Sequence, residues 1–324
     1  MHVDFILQRR LFGYRPERAH RAGIHGQPLF WHCDVPRMLQ ADYAGAILGV
    51  HYWPWQSEGA WRECQRQIDA IDTLCEQPSL HRIRRYADWQ YARDHRQLAF
   101  AVGVEGAHQL NGKLERVAAL AQRDVCYLTL THFSKNRAAT PSMGRGANPR
   151  DGLTGWGHEL ISELNWHGIA VDVAHVNGPG VLDACRQSSA PVLCTHTSIR
   201  GIYPSPRGID DAQIDAIAET GGVIGIMFGP MFLRGKLRGT TADIADHIDY
   251  VVQRVGVDHV GFGSDYDGWM FSIPRDQRDC RDSIKLTEIL IQRGYSDNDI
   301  YKMYRGNTLR VLQAVEAKAT SPKR

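Results

Sequence analysis

The sequence lacks the features that mark membrane and nucleic-acid-binding proteins. No apolar run approaches the roughly 18 residues of a membrane-spanning helix. The formal net charge is only +2 and forms no basic stripe, so nucleic acid is not an expected partner. An apolar run starts at Met1, which leaves no room for a signal peptide, and residues 317–324 carry no apolar tail for a lipid anchor. We therefore expect a cytoplasmic chain with no membrane anchor.

The cysteines also lack a pattern that would indicate a disulfide framework or a redox motif. There are seven of them, an odd number, and none forms a C-x-x-C pair. Cys126 and Cys194 lie inside apolar runs, where a thiol packs as a small hydrophobic group. We expect reduced thiols with a structural role.

No internal repeat, low-complexity tract or linker divides the 324 residues. Short apolar runs alternate with longer amphipathic stretches, a pattern typical of buried parallel strands separated by helices. The eight candidate strands are Val3–Ile6, Gly45–Val50, Ala99–Val104, Val125–Leu130, Ile169–Val173, Val192–Cys194, Gly222–Met227 and Val260–Phe262. Eight such strands favour a (β/α)8 TIM-type barrel, an α/β fold, with residues 1–315 as a single domain and 316–324 as a polar tail.

Five of these apolar runs begin or end beside a residue that can bind a metal or move a proton. The carboxyl ends of parallel strands meet on one face of a barrel, so these side chains are expected to converge there. Imidazoles together with carboxylates are typical of zinc sites. The residues concerned are His2, Asp4, Glu105, His175, His196 and Asp265.

The number of candidate ligands indicates two metal ions. His2 and Asp4 are two residues apart, so on a strand both side chains point to one face. With Glu105, His175 and His196 they exceed the three protein ligands usual for one catalytic zinc, which favours two ions sharing a carboxylate. Two ions about 3.5–4 Å apart hold a hydroxide at neutral pH and polarise a carbonyl, which suits hydrolysis of a C–N bond. Asp265 then remains for proton transfer to the leaving amine.

Other polar residues receive structural interpretations. A second H-x-D triplet, His32-Cys33-Asp34, falls where no strand is predicted and is interpreted as a loop feature. Asp267 is expected to shape the turn after the last strand. Asp172 is predicted to orient His175 as an outer partner of the metal site.

Three further residues keep open alternatives. His247 lies on a predicted helix and is interpreted as a packing or hydrogen-bonding residue. Trp53 and Trp55 follow the second strand, where they either wall a substrate pocket or pack beside Pro54.

An ordered series of motifs spans nearly the whole chain. It comprises His2-Val-Asp4, Val104-Glu-Gly106, Tyr127-Leu-Thr-Leu-Thr-His132, Gly152-Leu-Thr-Gly-Trp-Gly157, Asp172-Val-Ala-His175, His196-Thr-Ser198, Pro206-Arg207, Gly261-Phe-Gly-Ser-Asp-Tyr-Asp-Gly268 and Gly306-Asn-Thr-Leu-Arg-Val311. In this order the chain resembles the zinc-dependent membrane dipeptidases, also called renal dipeptidases, which are amidohydrolase-like barrels. The resemblance implies that His2, Asp4 and Glu105 bind one zinc ion and that Glu105, His175 and His196 bind a second, with Glu105 bridging.

The same resemblance implies roles for three more residues. His132 contacts the developing oxyanion, Arg207 binds the free carboxylate of the substrate, and Asp265 is the acid and base. A donor aimed at the oxyanion stabilises charge that appears only in the transition state, and a guanidinium binds a carboxylate in bidentate fashion. Without the resemblance, Arg207 reads as an ordinary loop cation and His132 has no assigned role.

The residues predict a metal-dependent hydrolase. The resemblance implies zinc as the metal and a small dipeptide, either L,L or L,D, as the substrate, and it suggests a homodimer. Two alternatives stay open. The same site could act on another amide or ester, such as an N-acyl amino acid, or the barrel could be non-catalytic, with a relic site that binds no metal.

Overall fold

The computed structural model describes residues 1–20, 31–52, 57–268, 270 and 272–320. Trp53 and Trp55 lie outside this part of the chain. All seven cysteines lie within it and are free thiols, as expected.

Parallel strands form one curled sheet at the centre of the fold. The order of the paired strands is β1-β3-β4-β5-β6-β8-β9, with β2 beside β3 and β7 beside β6. The strands are β1 Gly45–Val50, β2 Leu80–Arg82, β3 Leu98–Val104, β4 Val125–Thr129, β5 Ala170–Asp172, β6 Leu193–Ile199, β7 Gly208–Ile209, β8 Val223–Ile226 and β9 Val260–Phe262. Seven of the eight predicted strands are confirmed.

Helices lie between most of the strands in sequence, as an α/β barrel requires. They are α1 Phe5–Phe12, α2 Val35–Gln40, α3 Glu58–Leu74, α4 Tyr86–Asp94, α5 Glu115–Gln122, α6 Gly155–Trp166, α7 Gly178–Gln187, α8 Asp211–Glu219, α9 Pro230–Arg234, α10 Thr241–Val255, α11 Ile284–Gln292, α12 Asp297–Tyr301 and α13 Asn307–Lys318. Helix α13 therefore includes the first three residues of the segment expected to be a tail.

The predicted first strand, Val3–Ile6, is wrong in its extent. Only Val3 pairs, with Leu48 on one side and Tyr266 on the other, and α1 begins at Phe5. An apolar run this short fits either a strand or a helix, and here the chain turns into a helix that buries Phe5 and Ile6. The single bridging residue nevertheless joins β1 to the segment after β9, which closes the ring of the (β/α)8 barrel.

The sequence alternation within the strands separates two apolar layers. Ile47, Ala99 and Ala101 belong to one buried cluster, whereas Leu48 and Phe100, the residues that alternate with them, belong to another. Successive strand residues point to opposite faces, so one layer fills the barrel and the other packs under the helices. Gly49 and Gly103, which by strand alternation share the face of Ile47 and Ala101, leave room near the carboxyl ends of β1 and β3.

His247 holds the end of β6 to the helical layer. The backbone N–H of Ile199 donates to its Nδ1 at 2.9 Å, and its Nε2–H donates to the carbonyl oxygen of Leu233, 3.1 Å away. This pattern requires a neutral ring, and burial lowers the pKa of His247 to about 4. The structural interpretation of His247 is confirmed.

The depressed pKa of His247 predicts a loss of stability in mild acid. His247 binds a proton near pH 6.5 in the unfolded chain and only near pH 4 in the folded one. Its contribution to the free energy of unfolding is therefore complete above pH 6.5 and is lost as the pH falls toward 4. Between pH 7 and 5 we expect the unfolding free energy to fall by about 2 kcal/mol from this residue. His247→Asn keeps an acceptor near Nδ1 that does not titrate. Urea unfolding of the metal-free proteins at both pH values should show a smaller pH effect in the variant; equal effects contradict the assignment.

Candidate metal centre

The five predicted metal ligands lie in one buried cluster at the carboxyl ends of the strands. Oε1 of Glu105 is 3.0 Å from Nε2 of His175, 3.3 Å from Nε2 of His196 and 3.7 Å from Nε2 of His2. Nε2 of His2 is 3.0 Å from Oδ1 of Asp4. Every one of the five side chains is at most 4% exposed. The sequence-based expectation that these residues converge is confirmed.

The donor atoms fit a cation better than they fit one another. His2, Asp4 and Glu105 offer donor atoms within 4.8 Å of one another, as do Glu105, His175 and His196. Nε2 of His2 and Oδ1 of Asp4 are buried and lie 3.0 Å apart, but neither has a partner with hydrogen-bond geometry in the described part of the chain. Leaving buried polar atoms unpaired is costly, and a metal ion bound between them removes that cost.

An unusual backbone conformation orients His175 and Asp265. Glu105 directly follows β3, whereas His175 comes three residues after the end of β5 with φ of +66°. Asp265, three residues after β9, has φ of +57°. Side-chain-bearing residues rarely adopt this left-handed region, and such strain clusters at functional sites. His196 differs from the prediction because it lies inside β6, at an irregularity in the pairing with β8.

Asp265 joins the cluster beside His2 and His196, and donor atoms of the three side chains lie within 4.8 Å of one another. Its Oδ1 is 3.9 Å from Nε2 of His2, and its N–H donates to the carbonyl oxygen of His2 at 3.1 Å. Asp267 holds the turn after β9 to the segment before α2, because its Oδ1 accepts the backbone N–H of His32 at 2.7 Å.

The second H-x-D triplet lies in a loop, as expected, and there Asp34 caps α2 by accepting the N–H of Arg37.

Outer partners hold two of the imidazole rings. The Tyr127 hydroxyl is 2.5 Å from Nδ1 of His2, and the Thr195 hydroxyl is 3.0 Å from Nδ1 of His196. Asp172 accepts hydrogen bonds from the Thr195 hydroxyl and backbone N–H at 2.9 and 2.8 Å. Nδ1 of His175 has no hydrogen-bond partner in the described part of the chain, so the prediction that Asp172 holds that ring directly is wrong. The oxygens of Asp172 also accept from the Thr129 hydroxyl at 2.6 Å and from the backbone N–H of Ala174, the residue before His175, at 3.2 Å.

The surroundings of Glu105 and Asp265 shift the pKa values of their carboxyl groups in opposite directions. Burial alone would raise the pKa of Glu105, but the imidazoles of His132 and His2 hold it well below its usual range. Burial and then the neighbouring Asp4 raise the pKa of Asp265 well above its usual value. Two nearby carboxyl groups with divergent pKa values are the pattern of a ligand beside an acid or base.

His132 and Arg207 line the same centre. Nε2 of His132 is 3.6 Å from Oε2 of Glu105, and its ring meets that of His175 edge to face at 4.5 Å. Arg207 is 3% exposed, and its Nη2 donates to the carbonyl oxygen of His196 at 3.1 Å. Burial lowers the pKa of Arg207, and the carboxylates of Asp265 and Glu105 oppose that effect. A buried guanidinium beside the cluster suits recognition of an anionic group.

The sequence analysis missed His51. This residue directly follows β1 and is 2% exposed, with Nδ1 3.5 Å from Oε2 of Glu105. The signal was available, since His51 follows an apolar run just as Glu105 does.

Within the described ranges, no helix combines the length and the apolar character needed to cross a bilayer.

Comparison with known proteins identifies close parallels over most of the chain. Residues 16–324 match the family model described as membrane dipeptidase, peptidase family M19. An uncharacterized dipeptidase of Schizosaccharomyces pombe is 34% identical over 309 residues, which is 92% of this chain and 71% of that protein. Dipeptidase verJ of Clonostachys rogersoniana is 34% identical over 312 residues, 93% of this chain and 75% of that protein.

Solved structures show the same fold. A metallopeptidase of Rhodobacter sphaeroides, liganded with a phosphinate mimic of the dipeptide L-Ala-D-Ala, superposes with a TM-score of 0.84 at 22% identity, covering 97% of both chains. The probable dipeptidase PvdM of Pseudomonas aeruginosa gives a TM-score of 0.82 at 21% identity, covering 89% of this chain and 90% of that one. At these identities the likeness establishes the barrel fold.

Gly49 is predicted to be essential for the placement of His2 and Asp4. A Cβ at this position would lie 2.6 Å from Cε1 and 2.9 Å from Nε2 of His2, and closer still to Asp4. We expect Gly49→Ala to destabilise the protein by about 1–3 kcal/mol through overpacking. The matched control is Gly155→Ala, at the start of α6, where a Cβ meets nothing within 4 Å. Thermal unfolding should separate the two variants; equal midpoints contradict the packing argument.

Proposed function

The chain belongs to the membrane dipeptidase family, peptidase family M19, and we propose that it hydrolyses dipeptides at a binuclear zinc centre. Membership supports metal-dependent dipeptide hydrolysis as the class of reaction. The observation that carries the proposal is the convergence of three imidazole nitrogens on Oε1 of the buried Glu105. Such a donor set has no evident structural use, because apolar side chains would fill the same space at lower cost.

The proposed ligands fall into two groups that share Glu105. His2, Asp4 and Glu105 would hold one ion, and Glu105, His175 and His196 the other. Zinc suits imidazole and carboxylate donors, and when bound it supplies a nucleophile from water at neutral pH and polarises the carbonyl group of the substrate.

The remaining residues perform the proton transfer and the binding. Asp265 accepts a proton as water adds to the peptide carbonyl carbon, and it returns that proton to the amine nitrogen as the C–N bond breaks. His132 donates a hydrogen bond to the carbonyl oxygen as its negative charge develops. Arg207 pairs with the free C-terminal carboxylate of the dipeptide. The products are two amino acids, which balances the reaction.

The configuration of the substrate is part of the proposal. We include L,D-dipeptides with L,L-dipeptides because the Rhodobacter sphaeroides metallopeptidase, which shares this fold, binds a mimic of L-Ala-D-Ala. A panel of L,L-, L,D- and D,L-dipeptides, with release of free amino acids as the readout, tests this choice. Turnover of N-acyl amino acids with none of dipeptides selects the alternative substrate class.

Turnover should depend on bound metal and on Asp265. Dialysis against a chelator should abolish dipeptide hydrolysis, and zinc should restore it. Asp265→Asn removes the proton carrier but keeps the shape of the side chain, and we expect kcat to fall by about 10²–10⁴-fold. Asp297→Asn, at an exposed site in the first turn of α12, is the matched control. Metal-independent turnover, or equal kcat in the two variants, contradicts the proposal.

Arg207 should select for the substrate's carboxylate. Arg207→Met removes the guanidinium, and the loss of a charge-assisted pair of hydrogen bonds should lower kcat/KM for a free dipeptide by about 10–100-fold. The corresponding dipeptide amide has no carboxylate and should be affected much less. The ratio of kcat/KM for acid to amide is therefore the measurement. An unchanged ratio in the variant would assign the carboxylate to another residue.

A further inference from the structure

His51 occupies the position on β1 that Glu105 occupies on β3. The two strands are parallel, and their last paired residues are Val50 and Val104. His51 and Glu105 are the next residues of each strand, so they emerge side by side on the inward face. Gly49, two residues before His51, lies directly under His2 and Asp4 on that same face. The register of β1 and β3 therefore places His51 at the proposed metal centre.

The imidazole of His51 lies close to both carboxylates of one proposed metal site. Its Nδ1 is 3.5 Å from Oε2 of Glu105 and 3.7 Å from Oδ2 of Asp4. The other oxygen of each carboxylate faces the histidine ligands: Oε1 of Glu105 lies 3.0 Å from Nε2 of His175, and Oδ1 of Asp4 lies 3.0 Å from Nε2 of His2. His51 thus lies closest to the second, outer oxygen of each carboxylate.

We propose that His51 is a positioning residue of this centre, with a proton on Nδ1 directed at the outer oxygens of Asp4 and Glu105. Carboxylate ligands of metal sites are commonly held by such outer donors, which fix the orientation of the ligating oxygen. The N–H also reduces the repulsion between two buried carboxylates, because it places positive partial charge between them. The inference rests on the proposed metal centre and adds a residue to it.

His51 also contributes to the side of the centre that His132 lines. The two rings are 5.4 Å apart and meet edge to face, with Oε2 of Glu105 3.5 Å from Nδ1 of His51 and 3.6 Å from Nε2 of His132. Loss of the His51 contact would therefore let the Glu105 carboxylate shift toward His132, the residue proposed to donate a hydrogen bond to the oxyanion. A loss of metal affinity should accompany any loss of kcat.

The test compares two variants of the same shape. Asn presents an amide N–H near the position of Nδ1, and Leu presents a methyl group there. We expect His51→Leu to bind zinc about 10–100-fold more weakly than wild type, and His51→Asn to recover most of that loss. Zinc affinity is measured by competition with a chromogenic chelator, and the visible absorption of the Co²⁺-loaded proteins reports ligand geometry. Should the leucine variant fail to fold, His51→Ala serves as the donor-free variant.

A double-mutant cycle locates the effect. If His51 acts through Asp4, combining His51→Leu with Asp4→Asn should weaken zinc binding less than the sum of the two single effects. Wild-type affinity in His51→Leu, or equal losses in the leucine and asparagine variants, overturns the positioning role. Absence of bound zinc from the wild-type protein would instead overturn the proposed function, so the two failures are distinguishable.

Discussion

The structure depends on the burial of several ionisable side chains around one carboxylate oxygen, Oε1 of Glu105. Three imidazole nitrogens lie within 3.7 Å of it, and the side chains that carry them are almost inaccessible to solvent. Removing such groups from water costs several kcal/mol per ion unless each has a partner of opposite charge or a metal ion. The rest of the barrel can be understood as the framework that keeps this arrangement in place.

Small residues make the arrangement possible by letting the side chains of the cluster approach the strands. Glycine stands where a Cβ would collide with His2 at position 49, with Tyr127 at position 103 and with Asp265 at position 268. Tyr127 in turn contacts His2, so the glycine at position 103 affects His2 through Tyr127. The inward faces of β1 and β3 are thus depleted of apolar volume near the site, and the outward faces supply most of the core instead.

Much of this could be predicted from the sequence, and the failures have physical reasons. The rule that strand ends converge predicted the placement of Glu105 and His175, because each follows a run that is mainly apolar. It placed His196 at a strand end, whereas β6 continues through polar residues to Ile199 and pairs there with β7. Asp172 was predicted to orient His175 as an outer partner, but its oxygens accept from Thr129 on β4, Thr195 on β6 and the backbone of Ala174, and the neighbouring strands that supply these donors are not evident from the sequence. His51 was overlooked although it obeys the same rule.

The position of His2 and Asp4 links the chemistry of the site to the closure of the fold. They flank Val3, the single residue that bridges β1 and the segment after β9. Backbone hydrogen bonds hold this segment at only a few points, among them Val3 to Ile47, Gly49 to Val3 and Asp265 to His2. A cation bound by His2 and Asp4 together with Glu105 would tie the segment to β3 as well, across the ring. Because ligand binding to the folded state alone adds to its stability, metal loading in this barrel would stabilise the joint at which the barrel closes.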